Sequence, residues 1–152
     1  MRALLFLLMG LLSSVPAIGQ APETPRIVTL GGSVTEIVYA LGAGDQVVGV
    51  DASSIYPADV DDKPSVGYFR QVPAEGVLSM NPSLVLALEG TGPPSVLDQL
   101  RSAGVQVELI ADESSVEGAK QKIRRIGTVL DRTARADSLI QQMERDLADA
   151  RA

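Results

Sequence analysis

Short segments rich in β-branched residues alternate with segments of helical periodicity along most of this chain. Strands are expected over residues 26–30, 46–50, 83–88 and 105–110. The third of these is continuously apolar from residue 84 to residue 88, which is typical of a strand covered on both faces. Strands separated by helices pair in parallel through right-handed crossovers. The alternation therefore predicts the α/β class, as a three-layer sandwich around a mainly parallel sheet of about four strands.

The helices are predicted from apolar spacing and from residues that start or stop a helix. Ser33 and Glu36 form a capping-box pattern that opens the first helix, and Gly42 follows its end. The loop over residues 51–64 carries two prolines and several acids, so no regular structure is expected there. The later helices are expected over residues 74–80, 93–103, 115–130 and 133–152.

The first 21 residues have the pattern of a secretory signal peptide. Met1-Arg2 supplies a positive charge, residues 3–12 form a nearly unbroken apolar run, and residues 13–21 are small and turn-prone. Cleavage after Gly19 and cleavage after Ala21 both fit this pattern. The apolar run is too short to span a membrane as a helix, and no cysteine follows it that could carry a lipid. The pattern predicts a mature protein that is free in the periplasm.

The mature chain divides into a globular part and a terminal helix. Residues 22–130 carry the alternating pattern, and the 45% apolar content of the chain suffices for one domain with a core. Residues 131–152 predict an amphipathic helix, whose apolar stripe consists of Leu139, Ile140, Met143 and Leu147. Neither a glycine cap nor a later strand follows this stripe. Such an ending predicts a truncated chain.

Charge and residue content argue against several function classes. The chain has 13 basic and 19 acidic residues, and its basic residues are scattered, so a nucleic-acid partner is not expected. It has no histidine and no cysteine, which excludes a Ser-His-Asp triad and the usual zinc sites. The acids Asp59, Asp61 and Asp62 cluster in a loop that is expected to be solvated. A binding protein is therefore favoured over an enzyme.

Four loops are expected at the carboxyl edge of the predicted sheet, where parallel α/β sheets bind ligands. They are the Gly31-Gly32 turn, the loop after Val50, the loop around Tyr68, and residues 89–94. Gly32 and Tyr56, in the first two of these loops, are candidate ligand-binding residues. The Gly31-Gly32 turn lacks the third glycine of a dinucleotide-binding turn. The four segments should converge on one edge.

Tyr68 and Arg70 stand two residues apart in the third loop and are the strongest candidates for a binding site. Without histidine or cysteine, the phenol of Tyr68 is the best donor that the sequence offers to ferric iron. The neighbouring Arg70 could stabilise a phenolate or pair with a carboxylate of the ligand. The alternative is that Tyr68 packs its ring on the surface and that Arg70 is a solvated charge.

Several longer stretches carry a resemblance to a known family. They are residues 26–37 (RIVTLGGSVTEI), Ala40-Leu41-Gly42, the Gly67-Tyr68-Phe69-Arg70 loop, and residues 81–87 (NPSLVLA). Together they resemble the N-terminal lobe of periplasmic haem-binding proteins, the substrate-binding components of bacterial haem ABC importers. The vitamin B12 and siderophore binders belong to the same class. The resemblance implies a two-lobed clamp whose α/β lobes are joined by one long rigid helix. Residues 131–152 would begin that interlobe helix, and the second lobe would be missing from this chain.

The resemblance also implies a function and partners. Haem, iron(III) protoporphyrin IX, would be the transported ligand, with Tyr68 as an axial ligand of the iron and Arg70 as the hydrogen-bonding partner of Tyr68. Glu75 would dock on an inner-membrane ABC permease, and an outer-membrane haem receptor would act upstream. Glu75 is also placed to complement the dipole of a helix N-terminus. Two alternatives stay open, namely a binder of cobalamin or a ferric siderophore, and a stand-alone α/β domain with enzymatic or scaffolding activity.

Overall fold

The fold is built on a sheet of four parallel strands. The structure, a computed structural model, describes residues 24–151. Its strands are β1 (Ile27–Leu30), β2 (Val47–Val50), β3 (Leu84–Leu88) and β4 (Gln106–Ile110). They lie in the order β2-β1-β3-β4. Every adjacent pair is parallel, so the carboxyl ends of all the strands lie at one edge.

The central strands differ from the edge strand β4 in burial. Thr29 of β1 lies between Val50 of β2 and Leu86 of β3. Every residue of β1 and β3 is buried, whereas β4 leaves Gln106 and Leu109 exposed. The continuous apolar character of β3 therefore reflects cover on both faces, as its sequence predicts.

Helices cover both faces of the sheet. Within residues 24–151 they are α1 (Gly32–Ala40), α2 (Ala74–Leu78), α3 (Pro94–Ser102), α4 (Val116–Val129) and α5 (Thr133–Asp149). The step from β1 to β2 runs opposite to the step from β3 to β4, so right-handed crossovers place α1 on one face and α3 on the other. Contacts between α1 and α4, and between α2 and α3, agree with this assignment. The predicted three-layer α/β sandwich is confirmed.

The element boundaries lie close to the predicted ones. Each of the four strands ends at the predicted residue and begins one residue later than predicted. The loop after β2 is less irregular than predicted, because a 3-10 turn forms at Ala58–Val60 after Pro57. Further 3-10 turns lie at Gly44–Gln46 and Phe69–Gln71. The last of these turns follows Tyr68 directly.

The start of α1 differs from the predicted capping box. Its N-cap is Gly31, which has a φ of 111° and makes no side-chain capping hydrogen bond. Because the helix already begins at Gly32, Ser33 lies inside its first turn, too late to serve as the N-cap. The Ser33 hydroxyl instead accepts a hydrogen bond from the Lys122 ammonium at 3.2 Å. The capping-box prediction was therefore wrong.

The C-terminal helix α5 packs along α4. Ala136 and Ile140 are buried there, and Leu139 and Met143 pack against the core. Arg135 donates from Nη1 to the Leu41 carbonyl at 3.2 Å, at the end of α1. The predicted apolar stripe thus has a receiving surface on the lobe itself.

No helix within residues 24–151 is both long enough and apolar enough to cross a membrane. The predicted signal peptide over residues 1–21 lies outside the described part of the chain.

Candidate functional site

The loops at the carboxyl edge of the sheet are joined by hydrogen bonds. The Gly31 amide donates to Asp51 Oδ1 at 2.9 Å, which joins the turn after β1 to the loop after β2. The Ala52 amide donates to the Gly67 carbonyl at 2.9 Å, and the Gly92 amide to the Phe69 carbonyl at 3.1 Å. The four loops therefore meet at one edge, as predicted. The strand order reverses there between β1 and β3, at the position where such sheets bind ligands.

Tyr68 is half exposed at this edge. It follows Gly67, whose φ of 92° suits glycine, and its carbonyl accepts a hydrogen bond from the Gln71 amide at 2.9 Å. The Tyr68 side chain is 48% exposed, while the neighbouring Phe69 is 7% exposed. The two rings meet edge to face, with their centroids 5.0 Å apart. Phe69 thus anchors the loop in the core and leaves Tyr68 accessible.

Arg70 lies over the Phe69 ring. Its guanidinium carbon is 5.0 Å from the ring centroid, a cation–π contact. A Cβ at Gly90 would lie 3.0 Å from Arg70 Nη1, so this side chain also borders the loop after β3. No hydrogen bond within residues 24–151 joins Arg70 to Tyr68. The arginine is exposed and open to a ligand at the same edge.

Tyr56 lines a surface cleft that does not include Tyr68. It is 65% exposed, and the lining of this cleft of about 300 Å³ also includes Glu36, Tyr39 and Asp59. The Tyr39 hydroxyl there is buried and has no hydrogen-bond partner among the described residues. Burial raises the pKa of Tyr39, and the charges of Asp59 and Asp45 raise it further. A phenolate is therefore disfavoured at Tyr39.

Gly32 supports the loop after β2. Its amide donates to Ser53 Oγ at 3.1 Å. A Cβ at Gly32 would lie 2.7 Å from the Ser53 carbonyl oxygen, so no larger residue fits without a shift of the backbone. The structure places Gly32 against Ser53 at the predicted edge, with its amide already paired.

Asp51 is the residue that the sequence analysis did not single out. It is 1% exposed, and its carboxylate accepts hydrogen bonds from the Gly31 amide, the Ser53 amide and hydroxyl, and the Ser54 hydroxyl. The signal in the sequence is a lone acid directly after an apolar strand, followed by two serines within three residues. Such a pattern is typical of side chains that bond to a neighbouring backbone.

Two other predicted features can be placed on the structure. Glu75 is exposed in the first turn of α2, immediately after the Tyr68 loop. Residues 24–151 contain no group of three or more His, Cys, Asp or Glu side chains arranged to hold a metal ion. A porphyrin-bound iron needs only an axial donor, which a single tyrosine can supply.

Three relatives show what this chain is similar to. It is 40% identical over 129 residues to the uncharacterized ABC transporter substrate-binding lipoprotein YvrC of Bacillus subtilis, covering 84% of this chain and 41% of YvrC. It is 39% identical over 106 residues to a vitamin B12-binding protein of Yersinia pseudotuberculosis, covering 70% of this chain and 36% of that protein. The solved structure of the periplasmic heme-binding protein RhuT from Roseiflexus sp. RS-1 matches with a TM-score of 0.81 and 45% identity, covering 84% of this chain and 49% of RhuT.

The chain thus spans half or less of the length of these relatives. The model of a family described as periplasmic binding protein matches residues 27–152, which is most of the chain. The match agrees with the parallel sheet, its strand order and the loops gathered at the carboxyl edge. The chain therefore belongs to the periplasmic binding protein family.

Proposed function

We propose that this protein binds haem in the periplasm through Tyr68 and delivers it to an inner-membrane ABC importer. The observation that carries the proposal is the position of Tyr68, which is 48% exposed at the carboxyl edge of the sheet. Backbone hydrogen bonds hold its loop on both sides, to Ala52 and to Gly92. An exposed phenol on such a support is accessible to an incoming iron atom. The likeness to RhuT, described as a heme-binding protein, supports the choice of ligand.

Tyr68 supplies the type of donor that ferric haem accepts. The porphyrin nitrogens already hold the iron, so the protein contributes axial ligands, and a tyrosine oxygen is one of those found in haem proteins. Tyr39 and Tyr56 are less suitable for this role. The Tyr39 hydroxyl is buried, and Tyr56 lines a cleft that does not include Tyr68.

Arg70 is placed to pair with a carboxylate of the ligand. Its guanidinium group is held over Phe69, and no hydrogen bond to Tyr68 occupies it. A planar guanidinium forms two parallel hydrogen bonds with a carboxylate, and haem carries propionate groups. We therefore propose that Arg70 binds a propionate while Tyr68 binds the iron.

The proposal is tested by titrating the purified chain with ferric haem and following the Soret band. Tyr68→Phe keeps the ring and its contact with Phe69 but removes the oxygen, so the tyrosinate charge-transfer band should disappear. Removal of a residue that only supports a metal ligand typically weakens metal binding about 10- to 100-fold. Removal of the ligand oxygen itself should lower the haem affinity by more than that. Arg70→Ala should keep the band and weaken binding. Tyr68→Phe with the wild-type spectrum and affinity would refute the proposal.

Cobalamin is the second candidate, because a relative 39% identical over 106 residues is described as a vitamin B12-binding protein. For a corrin whose cobalt is not bound by Tyr68, the tyrosine would contribute its ring face. Tyr68→Phe should then bind cobalamin as the wild type does, and Tyr68→Ala should bind it more weakly. Parallel titrations with haem and cobalamin separate the two ligands.

We further propose that Glu75 contacts the permease. It is exposed at the start of α2, next to the ligand-binding loop, and YvrC is described as an ABC transporter component. Glu75→Arg should lower the ATPase stimulation of the reconstituted permease and leave the haem titration unchanged. Full stimulation by this variant would contradict the role. The second lobe and the outer-membrane receptor implied by the resemblance stay predictions.

A further inference from the structure

The Asp51 carboxylate is buried and saturated with hydrogen-bond donors. Oδ1 accepts from the Gly31 amide at 2.9 Å and from the Ser54 hydroxyl at 2.8 Å. Oδ2 accepts from the Ser53 amide at 3.0 Å and from the Ser53 hydroxyl at 2.7 Å. Each of the two carboxylate oxygens therefore accepts two hydrogen bonds. None of the ion pairs within residues 24–151 includes Asp51, so hydrogen bonds alone satisfy its charge.

Three hydroxyl groups form a chain of hydrogen bonds that leads to Asp51, and every bond in it donates toward the carboxylate. The Ser54 hydroxyl gives its proton to Asp51, so at the 2.7 Å contact between Ser54 and Thr35 the donor must be Thr35. At the 2.7 Å contact between Thr35 and Thr29, the donor is then Thr29. The chain runs from the middle of the sheet to the carboxyl edge, and it ends at Asp51.

The segment fixed by Asp51 holds the backbone of Tyr68. Ala52, the next residue, donates its amide to the carbonyl of the peptide that joins Gly67 to Tyr68, at 2.9 Å. The Val66 amide donates to the Val50 carbonyl at 2.8 Å, so the same loop runs beside the end of β2. On its other side, the Tyr68 loop is bonded at Phe69 to Gly92. A shift of the loop after β2 would therefore move the Tyr68 phenol relative to the loop after β3.

We propose that Asp51 is a positioning residue that holds Tyr68 in place for iron coordination. This inference rests on the proposed function. Asp51 keeps the loop after β2 closed onto the Gly31 turn through directional bonds, and Ala52 transmits that position to the Tyr68 peptide. A metal ligand held by such a support binds more tightly than a mobile one, because less freedom is lost on coordination.

Asp51→Asn tests the inference with almost no change in volume. The amide NH₂ must face either the donors on Oδ1 or the donors on Oδ2, so a donor meets a donor on one side. The rate of haem dissociation to apomyoglobin should rise about 10- to 100-fold, and the tyrosinate band should shift or weaken. Thr29→Val is the matched control, because it removes a buried hydroxyl from the far end of the same chain. It should lower the unfolding temperature and leave the dissociation rate and the band unchanged.

The outcomes separate the two proposals. A wild-type protein without a tyrosinate band would overturn the proposed function and this role with it. A wild-type band together with an unchanged dissociation rate for Asp51→Asn would overturn only the role of Asp51. An equal rise in the rate for Thr29→Val would also overturn it, because general loosening would then explain the effect.

If Asp51→Asn does not fold, Ser53→Ala takes its place, since it removes one donor to Oδ2 and should raise the rate of haem dissociation less. An unchanged rate for Ser53→Ala would then count against the inference.

Discussion

Two polar clusters hold neighbouring segments of this molecule together in different ways. At the carboxyl edge, the Asp51 carboxylate is 1% exposed and is satisfied by hydrogen bonds from backbone and hydroxyl groups. On the surface of α4 and α5, the Lys120 ammonium lies 2.9 Å from both Glu117 and Glu144, whose side chains are half exposed. Water competes for both carboxylates of the second cluster, whereas the Asp51 carboxylate of the first is almost inaccessible to it. We therefore expect the Asp51 cluster to fix the positions of the loops around it, and the Lys120 cluster to contribute little to the free energy of unfolding.

The difference has a physical basis in direction and desolvation. Hydrogen bonds weaken steeply when their angles change, so a carboxylate with several fixed donors permits one arrangement of the loops around it. An exposed ion pair tolerates many arrangements of two long side chains. The proposed ligand-binding edge needs the first kind of support, because its side chains would have to meet a rigid ligand in one geometry.

The largest effect is expected from Gly31→Ala at the carboxyl edge. Gly31 has a φ of 111°, and a Cβ there would lie 2.7 Å from Leu88 Cβ. Strain and overpacking together should lower the free energy of unfolding by about 2 to 4 kcal/mol. Urea denaturation measures this loss. Gly104→Ala is the control, because its φ of 85° is also positive but no atom lies within 4 Å of the added Cβ. Equal losses of unfolding free energy for the two variants would show that close packing around Gly31 adds nothing to the cost of the positive φ.

A smaller effect is expected from Thr35→Val in the middle of the hydroxyl chain. The substitution keeps the shape and leaves the buried Thr29 hydroxyl without a partner. It also removes the donor to the Ser54 hydroxyl, which keeps Asp51 as its acceptor. It should cost about 1 to 3 kcal/mol of stability, measured by the same denaturation. Thr128→Val removes a hydrogen bond of 2.9 Å to the Arg124 carbonyl on the exposed face of α4 and should cost less than about 0.5 kcal/mol. A reversed order would contradict the comparison between the buried and the exposed cluster.

The smallest effect is expected from Lys120→Met. This substitution should lower the unfolding temperature slightly at low salt and leave it unchanged at high salt, because salt screens the ion pairs. The hydrogen bond with Glu144, followed by that with Glu117, raises the pKa of Lys120, and the hydrogen bond with Lys120 lowers the pKa of Glu117. The contribution of Glu117 should therefore be lost as the pH falls through its lowered pKa. The contribution of Lys120 should be lost as the pH rises through its raised pKa. Thermal melts across pH, at low and high salt, check both signs. A fall in unfolding temperature as large as that of Thr35→Val would contradict the comparison between the buried and the exposed cluster.

The order of strands and helices follows from local patterns. The apolar run at β3 and the Pro94 start of α3 were readable because each depends on neighbouring residues. The Ser33 prediction failed because the helix begins one residue earlier, at Gly32, with Gly31 as its N-cap. The Ser33 hydroxyl is left to accept from Lys122, 89 positions away. The convergence of the four loops could be predicted because parallel pairing places all carboxyl ends at one edge.

The sequence by itself determined the α/β architecture, the edge that carries the site, and Tyr68 with Arg70 as its candidates. Only the tertiary structure decided that Arg70 lies over Phe69, and that Asp51 is buried among donors from Gly31, Ser53 and Ser54. Hydrophobic periodicity depends on residues that are close along the chain, so it is visible in the amino-acid sequence. Burial of a carboxylate and the direction of its hydrogen bonds depend on segments 20 residues apart along the chain, which meet only when the sheet has formed.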